Sequence, residues 1–107
     1  MKVHELQELL EYDRVTGKFK WIKARTGVTV GSEAGTVRKD GYRQITVNRV
    51  IYFAHRLAWL YTYGVWPKDQ LDHINADRDD NRIENLQECT HKENHRLKWE
   101  RIRKDKS

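Results

Sequence analysis

A chain of 107 residues, 35% of them charged and with a formal net charge of +5, has room for one modest core but not for a catalytic unit beside a separate recognition unit. Its one cysteine, Cys89, excludes an internal disulfide and a cysteine-rich zinc site and reads as a buried structural thiol. No apolar run approaches membrane-spanning length, and the stretch from Met1 to Glu5 leads into a charged amphipathic segment rather than a signal peptide. The expectation is an intracellular protein with no membrane partner, whose basic balance suits a polyanion.

Val3, Leu6, Leu9 and Leu10 recur at helical spacing, which predicts an amphipathic helix over about 3–11, packed as a lid on the core. Tyr12 to Gly17 reads as a turn. Phe19 and Trp21 then alternate with Lys18 and Lys20, as in a strand with an aromatic core face and a basic outer face. Residues 24–34, rich in Gly, Thr and Ser, show no period and read as an irregular connection open to ordering by a partner.

Residues 36–38, a tight primed turn at Lys39-Asp40-Gly41, residues 42–47, a turn at Asn48-Arg49 and residues 50–54 predict a three-stranded antiparallel meander. If Ile45 and Val47 turn inward, Gln44 and Thr46 share the outer face, and Arg38, Lys39, Arg43 and Arg49 reach round the strand ends. A ribbon of this width fits a DNA major groove, so the face is a candidate reader of double-stranded DNA; the plainer alternative is a solvated sheet face. Residues 55–64 read as a helix stopped by Gly64, with His55 as a hydrogen-bonded packing group rather than a catalytic one. The basic residues Lys92, Arg96, Lys98 and Arg101 on a last helix predict phosphate contacts without sequence information.

The densest chemistry lies between Leu71 and His95. Two short runs, 70–74 and 83–89, read as strands around a polar loop, and Thr90 with Glu93 forms a capping box that starts a helix. This order places Asp72 and His73 at a strand end with Asn94 in the helix facing back. A carboxylate and an amide oxygen suit a hard divalent cation that keeps exchangeable positions, so Asp72 and Asn94 are the expected metal ligands. His73, adjacent on an extended strand and therefore on the other face, is the expected general base.

Asp72-His73, then Asn85 within Asn81-Arg82-Ile83-Glu84-Asn85-Leu86, then Asn94, resembles the His-Asn-His (HNH) endonucleases, in the His-Asn-Asn form of phage and intron-borne homing enzymes. The opening Tyr12-Asp13, Thr16-Gly17, Phe19 and Trp21 is similar to that of related phage enzymes. The resemblance implies an α+β fold, a small antiparallel sheet with helices and a ββα-metal core. Its matching core covers the last third to half of the chain, and the length makes the expectation one domain over 1–107, with a helix and the DNA-reading meander over 1–54 and the helix, nuclease core and basic tail over 55–107. The resemblance makes His73 the base and Asp72 and Asn94 the ligands of one divalent metal, Mg²⁺ or Mn²⁺, and it gives Asn85 the task of bracing the loop that positions His73. His91 and His95 are lesser candidates. With no long heptad in the chain, a monomer is expected. The alternative from another class is an inactive or accessory DNA-binding protein of a phage packaging or recombination system.

Overall fold

The computed structural model of the chain describes residues 1–89; the expected capping box, Asn94, His91, His95, Arg96, Lys98 and Arg101 lie outside the described residues. Helix α1 covers Val3–Leu9 and stops where Leu10 turns extended, its backbone N–H still bonded to the Leu6 carbonyl. Leu10–Asp13 is strand β1, which corrects the expected helix to 11 and turn from Tyr12. The reason is pairing: β1 runs antiparallel to β2, Lys18–Trp21, with Leu10 opposite Trp21 and Tyr12 opposite Phe19, so the aromatic face of β2 is continued across the hairpin. Asp13 shapes the turn, its carboxylate accepting from Val15 N and its carbonyl from Gly17 N.

Residues 24–34 are irregular but folded onto β2 within the chain. Trp21 N donates to Ser32 O, Gly31 N to Trp21 O and Ala34 N to Phe19 O, and Ala34 is fully buried. The segment therefore extends the hairpin in place of a third strand.

Strands β3 (Thr36–Val37), β4 (Arg43–Val47) and β5 (Val50–Phe53) form the expected meander. The turn types are exchanged relative to expectation. Asn48 and Arg49 both have positive φ, as a primed two-residue turn between Val47 and Val50 requires, whereas in the first turn only Gly41 does and Gly41 N closes on Arg38 O. Ile45 and Val47 are buried and Thr46 is exposed, so the facing expected from the alternation holds. Helix α2, Ala54–Tyr63, follows directly, buries Leu57, Ala58 and Leu60 against β4 and β5, and ends on Gly64 in the left-handed region.

The last pair is β6 (Gln70–His73) against β7 (Leu86–Cys89), with Asp72 opposite Gln87 and His73 opposite Leu86. Of the run expected to be a strand from Ile83, the first three residues form a 3-10 turn instead. Leu6, Leu10, Phe19, Ile45, Leu57, Ile83 and Leu86 share one core cluster, which binds the N-terminal hairpin, the meander, α2 and the β6–β7 pair together. Each such side chain, moved from water to the interior, contributes about 1.5–3 kcal/mol. Three small antiparallel sheets with two helices make an α+β fold among the described residues.

Candidate active site

His73 closes β6 and is 4% exposed; Asp72 beside it is 7% exposed. Successive residues of a strand leave opposite faces, so burial of both means that both faces of this strand end are covered. His73 Nε2 lies 2.9 Å from Asn81 Oδ1 in a buried pair. Its ring packs edge-on to His55, centroids 5.0 Å apart, and against Tyr42 at 5.9 Å. β6 thus presents the imidazole to α2 and to Tyr42, just before β4.

The loop between β6 and β7 is knitted by its own polar side chains. Asn85 Oδ1 accepts from Asn75 N at 3.0 Å, and Asn85 Nδ2 donates to Asn75 Oδ1 and to Asp80 O. Ile74 N also donates to Asn85 O, so the two residues after His73 are tied to Asn85, Ile74 by main chain and Asn75 through the Asn85 side chain. Asp80 takes two bonds from the Arg82 guanidinium, at 2.8 and 2.7 Å, and that cation holds its carboxyl down to about 2. Ala76 adopts φ 66°, a left-handed conformation unusual for alanine, where its N–H closes the turn that begins at His73.

The meander clamps the same loop from outside. Arg43 binds Asp79 through both forks, at 2.8 and 3.2 Å, and also reaches Gly35 O and Glu33. Arg78 donates to Asp40 O at 2.7 Å and lies over the Tyr42 ring at 4.9 Å. Arg43 therefore differs from its expected position at the strand rim: it lies opposite Val37 on the inward side of β4, with its guanidinium committed within the chain. Of the other expected DNA-contacting cations, Arg38 sits over Phe53 at 5.2 Å and pairs with Asp40 at 3.4 Å. Lys39 is exposed at the first turn. Arg49 lines a cleft of about 1020 Å³ together with Lys23, Arg25, Glu5 and Glu8.

His55, in the first turn of α2, packs as expected, but the expected hydrogen bond is missing at one nitrogen. Its Nδ1 is buried and has no partner among the described residues, because Tyr42, Phe53 and His73 surround the ring with aromatic faces. Burial, with smaller contributions from His73 and Arg56, pushes its pKa down to about 3, so the ring is neutral at physiological pH.

Of the two expected metal donors, Asp72 lies in the described structure and Asn94 outside it. Among the described residues no three His, Cys, Asp or Glu side chains converge. A carboxylate next to an imidazole is nonetheless the kind of donor a hard divalent cation takes when it keeps few protein ligands, so the donor present fits in kind. Sequence reasoning quoted Asn81 only as a flank of the motif and gave no task in the site to Asn81, Tyr42, Arg78 or Asp79. Their signal was the run of Asp, Asn and Arg through the loop, a composition that solvated loops share.

This arrangement, a buried histidine at a strand end beside an aspartate and across from an asparagine-braced loop, is similar to the one that the HNH resemblance implies. Residues 52–96 match the family model described as HNH endonuclease, so the family resemblance is borne out over that stretch. The solved structure of DNA binding and cleavage by the HNH homing endonuclease I-HmuI has the same fold, with a TM-score of 0.65 and 22% sequence identity over 87% of this chain. The chain spans about half of that protein, 53% of its length. No curated protein sequence matches the chain. No helix among the described residues is long and apolar enough to cross a membrane.

Proposed function

We propose that this chain is a metal-dependent endonuclease that hydrolyses phosphodiester bonds of double-stranded DNA. The observation that carries the proposal is the buried His73, held against Asn81 beside Asp72 and next to a loop closed by Asn85. Taken singly these residues fit a structural role. Their convergence is what a reaction centre needs, because a base must be held to within a fraction of an ångström to act on water.

In the proposed mechanism His73 takes the proton of a water that attacks the scissile phosphorus in line with the leaving 3′ oxygen. Asn85 holds the turn after His73 so that the ring keeps its aim. Asp72 and Asn94 would hold one divalent ion, Mg²⁺ or Mn²⁺. Such an ion, when bound, neutralises charge on the phosphate and the leaving oxygen. The products are a 5′-phosphate and a 3′-hydroxyl. The outer face of the meander, with Thr46 and Ile51 paired and exposed, offers a hydroxyl and an apolar group for base edges and thymine methyls. Arg38, Lys39 and Arg49 at the turns, and Arg96, Lys98 and Arg101 beyond β7, supply phosphate contacts.

One chain carries one such site and works as a monomer, so supercoiled plasmid at limiting protein should pass through the open-circular form before linear product appears. Cleavage ends should map to a 5′-phosphate. Immediate linearisation, steeply dependent on protein concentration, would contradict the monomer. Failure to cut any duplex in the presence of Mg²⁺ or Mn²⁺ would return the chain to an accessory DNA-binding role.

A further inference from the structure

Asn81 is 1% exposed, an unusual depth for an amide in a loop of charged residues, and is one of the largest fully buried side chains of the protein. Its two ends are both used. The side-chain Oδ1 meets His73 Nε2 at 2.9 Å, and the backbone carbonyl accepts from the Tyr12 hydroxyl at 2.6 Å, across 69 positions of sequence. An amide oxygen can only accept, so a hydrogen bond at this contact has the proton of the neutral imidazole on Nε2.

The N-terminal hairpin is fitted to this residue. Tyr12 stands on β1, locked by packing against Phe19 at 4.9 Å and Tyr61 at 5.7 Å. Burial pushes its phenol up to about 12, so it remains a donor. At the tip of the same hairpin Gly17 has φ 75° and faces the peptide that joins Asn81 to Arg82. A Cβ there would stand 2.5 Å from Asn81 C and 2.3 Å from Arg82 N. Only glycine allows the hairpin and the loop to approach this closely.

Resting on the nuclease proposal above, we infer that Asn81 is a positioning residue that fixes the tautomer and aim of His73, and that Tyr12 and Gly17 of the N-terminal hairpin hold Asn81 in place. The hairpin is thereby part of the catalytic apparatus, although it contributes no group to the reaction. Asn85 sets where the loop runs, whereas Asn81 holds Nε2 of the His73 ring.

The test reads the tautomer directly. In protein labelled with ¹⁵N-histidine, long-range ¹H–¹⁵N spectra at alkaline pH distinguish a ring protonated at Nε2 from one protonated at Nδ1; the His73 signals are assigned by their loss in His73→Ala. The parent and Asn81→Asp, which keeps an acceptor oxygen, should show the Nε2–H form. Asn81→Leu, close in size but without an acceptor, should show a mixture. Nicking by Asn81→Leu should fall about 10–100-fold in kcat with KM within about two-fold, the range seen when a partner that orients a reacting group is lost. Tyr12→Phe should lower kcat in the same sense by less. A parent ring protonated at Nδ1 overturns the inference even if Asn81→Leu fails to fold, and so does an Asn81→Leu that keeps the parent tautomer. A parent with the Nε2–H form that cuts no DNA overturns the nuclease proposal instead, so the two failures are told apart.

Discussion

Acid should weaken this fold through His55 in a way that one substitution can isolate. The folded-state pKa of His55 is about 3, well below the ordinary histidine value of about 6.5, because burial opposes the charged ring. The unfolded chain takes the proton first, so the contribution of His55 is complete above about pH 6.5 and is lost as pH falls from there toward the folded value. Between about pH 7 and pH 5.5 the loss comes to about 1 kcal/mol. His55→Phe keeps a planar ring among Tyr42, Phe53 and His73 and removes both the titration and the buried, unpartnered Nδ1. Urea unfolding of parent and variant at the two pH values supplies the double difference, in which the other histidines cancel. The variant should gain about 1 kcal/mol relative to the parent on acidification, and at neutral pH it should lose little, since an unsatisfied buried nitrogen costs about 1–3 kcal/mol by itself. Parallel behaviour of the two proteins would refute the reasoning and mean that His55 titrates as a solvated histidine.

Gly17→Ala should destabilise by at least about 1–2 kcal/mol, from the left-handed φ alone, and should slow nicking as the 81–82 peptide is pushed away; a neutral urea midpoint would contradict the close approach. Arg43→Met should lower stability by about 1–2 kcal/mol, a charged hydrogen-bond loss discounted for the partial exposure of Asp79, and should leave the preferred DNA sequence unchanged; an altered footprint would restore Arg43 as a reader of DNA. Ala76→Gly should raise the free energy of unfolding by up to about 1 kcal/mol by relieving the positive φ, read as a higher urea midpoint, and a loss would show that the alanine methyl is packed. Asp72→Ala and excess chelator should each stop cleavage while DNA binding persists; full activity in chelator would sink the metal-dependent mechanism.

The meander and α2 were legible in the sequence because period and turn chemistry agree there: Ile45 and Val47 alternate inward, and Gly64 stands where the helix needs a left-handed stop. Asp72, His73 and Asn85 were legible as a motif, since their order and flanks are distinctive. Strand β1 was not, because Leu9 and Leu10 continue a helical stripe and only the partner strand across the turn makes Leu10 extended. The fate of Arg43 was hidden for a related reason. Side-chain period says which face a residue takes, but its partner, Asp79, stands 36 positions away in a loop with several acids of equal merit. Asn81 was hidden more deeply. Nothing local separates an asparagine that solvates a loop from one buried under a tyrosine 69 residues earlier.

The most direct test of the central claim is His73→Ala, assayed for plasmid nicking under single-turnover conditions and for duplex affinity on the same preparation. The account predicts that cleavage falls by about 10²–10⁴-fold, the span of general-base catalysis, while affinity for DNA and the unfolding midpoint stay close to the parent. A variant that nicks within a few-fold of the parent would contradict it, since His73 would then be only one more buried ring at the end of β6.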